Sequence, residues 1–115
     1  MNSSLFIITS DPRTSPRPAE AIRIAAGVGT WKKTDVRVYL GEAAVLALGE
    51  DTEALVDEEN FRRYLPILGE IGRPIYVQQA APLLAQLNQT TLPFEEVDDV
   101  RLAALASESS SVLRF

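Results

Sequence analysis

Apolar residues follow two rhythms along this chain, and the rhythms alternate. Short apolar runs at Leu5-Phe6-Ile7-Ile8 and Ile75-Tyr76-Val77 are bounded by turn residues, as buried strands are. Residues 35–40 alternate, placing Val36, Val38 and Leu40 on one side and Arg37 and Tyr39 on the other. Between such runs, apolar positions recur every three or four residues. Ala21, Ile24, Ala25 and Val28 predict the buried face of a first helix, widened by Ile22 and Ala26 and ending near Gly29. Phe61, Leu65 and Leu68 predict another, with Asp57 as its N-cap. Pro66 falls inside that second pattern and predicts a kink or break near Tyr64.

The remaining elements read in order. Residues 42–48 predict a short helix, and the acidic connection 49–56 is the place for a mobile loop. After a strand over 74–78, Pro82 opens a helix expected to bury Leu83, Leu84 and Leu87. Residues 94–97 predict a fourth strand. Asp98 caps a helix burying Leu102 and Leu105 and closing near Ser107, and 110–115 predict a last strand. Five strands alternating with helices imply an α/β domain of three layers, α/β/α, spanning residues 1–115, with a five-stranded, mostly parallel, flavodoxin-like sheet.

Composition narrows the chemistry. Among 115 residues there is no Cys and no His. Thiolate nucleophiles, persulfides and Cys-ligated metals are therefore excluded, and the commonest general base and metal ligand are missing. Eleven basic against sixteen acidic residues give a net charge of −5, which argues against nucleic-acid or anionic-membrane partners. No apolar run approaches the length of a membrane span, and the N-terminus lacks the marks of a signal peptide, so a cytoplasmic protein is expected. No metal or cofactor is called for.

Three stretches together resemble the DsrE-like family, which includes the DsrE/DsrF/DsrH and TusB/TusC/TusD-type subunits of bacterial sulfur relays. They are Leu5 to Pro12 with the Ala-rich helix and Asp35-Val36-Arg37-Val38-Tyr39-Leu40-Gly41-Glu42; Gly72-Arg73-Pro74-Ile75-Tyr76-Val77 with Gln78-Gln79-Ala80-Ala81; and the ending Ser109-Ser110-Ser111-Val112-Leu113-Arg114-Phe115. The resemblance implies a DsrE-like fold and a homo-oligomer, trimer or hexamer. Family members that carry sulfur do so on a Cys at the position of Val77 or Gln78. Here neither is a thiol, so the resemblance implies a cysteine-free member, without persulfide transfer, acting through assembly, a protein partner or a small ligand.

Two stretches are candidate ligand-binding sites. The loop 9–18 joins the first strand to a helix N-terminus, where free N–H groups and the helix dipole favour an anion. Ser10, Thr14 and Ser15 offer hydroxyls, and Arg13 and Arg17 offer charge. The simpler reading of the same residues, a helix cap (Ser15) and solvated or interfacial arginines, is the weightier one, and the loop has no glycine to wrap a phosphate. Gln78 and Gln79, at the third strand's end, would hydrogen-bond a ligand, a neighbouring subunit or their own turn. Glu95, Glu96, Asp98 and Asp99 read as a solvated acidic edge rather than a metal site, and Glu42 and Glu58 find no partner for base catalysis. Trp31, flanked by Lys32 and Lys33, is a candidate for a subunit contact. An enzyme or binder of a phosphorylated ligand, nucleotide or flavin using loop 9–18 is the alternative function.

Overall fold

The computed structural model describes residues 3–31, 34–71, 73–87 and 89–115. Five strands, β1 (Ser3–Ile8), β2 (Asp35–Leu40), β3 (Ile75–Gln78), β4 (Phe94–Val97) and β5 (Ser111–Arg114), form one sheet. Their order is β4-β3-β2-β1-β5, and every neighbouring pair is parallel. Three α-helices, α1 (Arg17–Trp31), α2 (Glu58–Ile71) and α3 (Asp99–Glu108), and a 3₁₀ segment over Glu42–Leu48 lie in the connections.

Strand alternation divides the core in two. Phe6, Ile8, Val36, Val38, Leu40, Ile75 and Val77 face α1, α2 and the 3₁₀ segment. On the opposite face Leu5, Ile7, Tyr39, Tyr76 and Val97 pack on Leu105 of α3, with Leu102 and Ala106 beside it. Both faces are therefore covered, which is why the runs Leu5–Ile8 of β1 and Ile75–Val77 of β3 are apolar without interruption. The architecture is the expected three-layer α/β/α fold. The chain steps from β1 to β2, β3 and β4 in one direction and then returns to place β5 on the other side of β1. Right-handed crossovers put α3 on the face opposite α1 and α2 as a direct consequence.

Several local expectations give way. The fully buried residues of α1 are Pro18, Ala19, Ala21, Ile22, Ala25 and Ala26, whereas Ile24 and Val28 are half-buried at the margin. Because α1 packs on α2 as well as on the sheet, its buried arc is wider and centred nearer Ile22. The helix also runs past Gly29 to Trp31.

Pro66 does not break α2, which continues from Glu58 to Ile71. Pro66 is exposed, so the Arg62 carbonyl deprived of its partner is on the side where water can serve it. The helix expected after β3 shrinks to a 3₁₀ turn at Leu84–Gln86, and its leucines are half-buried at most. A segment this short cannot repay helix nucleation. The connection 49–56 is anchored at both ends. Gly49 bridges Thr90, Glu50 N–H donates to the Gln89 carbonyl (3.3 Å), and Val56 N–H donates to that of Pro12 (2.8 Å). Among the described residues no helix is long and apolar enough to cross a membrane.

Candidate functional site

In parallel α/β sheets, ligands favour the crevice outside the strand C-terminal ends where strand order reverses. Here the reversal falls between β1 and β5, and Phe115 fills it. Its ring stacks on Phe6, centroids 5.8 Å apart and planes 10° from parallel. Its carbonyl oxygen accepts from Thr9 N–H (3.0 Å) and Ser10 N–H (3.4 Å), and its own N–H donates to the Ile7 carbonyl (2.9 Å).

The side chains of loop 9–18 are largely occupied by the protein. Ser15 Oγ accepts from Arg17 N–H (3.2 Å), so it caps α1. Arg13 closes a bidentate pair on Asp11, Nε to Oδ1 at 3.0 Å and Nη2 to Oδ2 at 2.9 Å. Asp11 also accepts from Arg13 N–H. The pairing holds the Asp11 carboxyl below its ordinary range and raises the Arg13 guanidinium, the side-chain hydrogen bond being the main cause in each. Arg17 Nη2 donates to the Arg114 carbonyl (3.1 Å), with its guanidinium 5.9 Å from the centre of the Phe115 ring. Thr14 is exposed, and Ser10 is half-buried beside Phe115. The loop forms a corner, exposed at Thr9, Arg13, Thr14 and Arg17, in which both arginines already have partners.

Gln78 and Gln79 lie elsewhere on the same edge. Two strand positions separate β1 from β3, roughly 10 Å across the sheet. Gln78 Oε1 accepts from Glu42 N–H at 2.7 Å, which supports the start of the 3₁₀ segment. Gln79 N–H donates to the Val97 carbonyl (3.0 Å), while its side chain is exposed. The structure therefore divides the seven sequence candidates into two groups, at the ends of β1 and β3.

A feature invisible in the sequence joins the second group. Glu42 and Ala80, at the ends of β2 and β3, have φ of 51° and 59°, left-handed values that non-glycine residues seldom adopt. A third such residue, Asp57 (φ 56°), follows Val56, which is bonded to Pro12 at the end of β1. Strain of this kind costs about 1–3 kcal/mol per residue and gathers at functional edges. Asp57 does not act as the side-chain N-cap expected for α2: the helix starts at Glu58, and among the described residues only Asp57's main-chain carbonyl takes part, accepting from Asn60 N–H (2.9 Å). Tyr39, also missed as a site residue, is 4% exposed. Burial, then the charges of Asp99 and Glu42, raise its phenol above the ordinary tyrosine range.

The acidic stretch divides as well. Asp98 Oδ1 caps α3 by accepting from Arg101 N–H (2.8 Å), and Glu96 Oε1 accepts from Ala80 N–H (3.3 Å). Among the described residues no three acidic groups converge as metal ligands would. Trp31 is 88% exposed.

The architecture defines the class first: an α/β protein with a wholly parallel five-stranded sheet and a DsrE-like fold. The crystal structure of the YchN protein from E. coli is similar over 100% of both chains, with a TM-score of 0.77 and 22% sequence identity. At that identity the likeness establishes the fold. No family model matches the sequence. No curated protein matches it either.

Proposed function

We propose that this protein is a non-catalytic DsrE-like subunit, working by homo-oligomeric assembly and by binding a partner or small ligand at the ends of its strands. The reading rests above all on the end of β3. At Val77 or Gln78, where the resemblance puts the thiol of sulfur-carrying members, this chain has a valine and an amide, and the Gln78 amide oxygen supports Glu42 N–H at 2.7 Å. An amide there is a hydrogen-bonding group with no capacity to take up sulfur covalently. Assembly draws support from the edge strand β5, exposed along its length, and from Trp31. The pairing within loop 9–18 weighs against a phosphorylated ligand, which would have to compete with Asp11 for Arg13 and with Phe115 for the crevice.

Thermal unfolding with flavin mononucleotide, ATP and inorganic phosphate tests this. A ligand raises the midpoint only of a fold that binds it. The proposal expects no rise with any of the three. A rise of several degrees that disappears in Arg13→Ala would establish the phosphate-binding alternative instead.

A further inference from the structure

A cavity of about 250 Å³ opens beside α2, between residues 61–66 of that helix and the segments 49–52 and 91–92. Phe61, Leu65, Pro66 and Leu92 supply its apolar walls. The cavity is separate from the strand ends and belongs to no part of the function proposed above.

Its polar features are few. Thr52 lines it and is 5% exposed, and among the described residues its hydroxyl has no hydrogen-bond partner. The neighbouring Thr91 hydroxyl is already used, donating to the Leu48 carbonyl at 3.3 Å. The two charges at the rim are also satisfied. Arg62 pairs with Glu58 at 2.8 Å, and the Gln89 amide, oriented to donate, reaches both oxygens of Glu50 at 3.0 and 3.1 Å. An ionised ligand would therefore lose its hydration without gaining an uncommitted counter-charge.

We infer that this cavity is a binding site for a compact, neutral, mostly apolar molecule, such as a substituted ring, whose single polar group hydrogen-bonds the Thr52 hydroxyl. A dry apolar cavity of about 150 Å³ accommodates benzene, so this one suits a ligand of roughly ten non-hydrogen atoms. Apolar walls with one placed polar group are the usual make-up of small-molecule sites.

The test is a titration of the isotopically labelled protein, followed by amide and methyl NMR, with 4-methylphenol, toluene and benzoate. The site predicts saturable shifts at Thr52, Phe61, Leu65 and Leu92 with 4-methylphenol. Toluene should bind about 2- to 10-fold more weakly, the worth of one hydrogen bond. Thr52→Val should bring the two affinities together. Three results would overturn the inference: no shifts at these residues, equal binding of 4-methylphenol and toluene to the wild type, or a preference for benzoate that Arg62→Ala removes. The wild-type comparison decides the matter even if Thr52→Val fails to fold.

Discussion

Gly41 is the residue on which the β2 end turns. A Cβ there would meet Tyr39 Cε1 at 3.0 Å and Thr9 Cγ2 at 3.2 Å. Tyr39 is buried and cannot easily give way, although Thr9 is exposed, so Gly41→Ala should cost about 1–3 kcal/mol, read as a lowered urea midpoint; an unchanged midpoint would show that the corner has slack. Tyr39 itself couples stability to pH. Its folded phenol ionises above the usual tyrosine value of 10.0, so its contribution is complete below that pH and is lost as pH rises through the folded value. As pH rises above 10.0 the wild type should lose stability more steeply than Tyr39→Phe; parallel curves would contradict the assignment. At this scale the sequence was only partly legible. Ser15 as a cap follows from residue type, and the hydrogen bond to Arg17 N–H agrees. The left-handed backbone at Glu42, Asp57 and Ala80 could not be read, since nothing in a Glu, Asp or Ala signals positive φ. Thr52 likewise stands in an acidic stretch that gives no hint of burial.

Periodicity located the larger elements because their burial is regular. The α3 cap at Asp98 and the strand over Phe94–Val97 both appear where the pattern placed them. Failures came where one residue was asked to outvote an element. Proline lowers helix stability, but α2 has Phe61, Leu65 and Leu68 buried on its other side to hold it together. Replacing Pro66 by Ala restores an N–H toward the Arg62 carbonyl and removes the ring. It should therefore stabilise the protein by about 1 kcal/mol or more in urea unfolding, and a neutral or destabilising result would mean that the helix had fully relaxed around the proline. The stretch after β3 erred the other way. Its leucines suggested a helix, but the chain there is spent in crossing back toward β4 and closes only one 3₁₀ turn.

Across the whole molecule, the order β4-β3-β2-β1-β5 has two consequences. It places the reversal beside β1, where Phe115 occupies the crevice that the sequence offered to an anion. That outcome depends on a contact between positions more than a hundred residues apart, which local pattern cannot supply. It also leaves β5 as an edge with Val112 and Leu113 exposed at 39% and 36%. An open parallel-sheet edge invites pairing or cover, and assembly is one way to provide it. The proposal that this DsrE-like fold acts as an assembled subunit, and not as a sulfur carrier, is tested most directly by light scattering of the purified protein at micromolar concentration. A mass of three or six copies is the predicted result. A monomer that stays monomeric over the concentration range would contradict it.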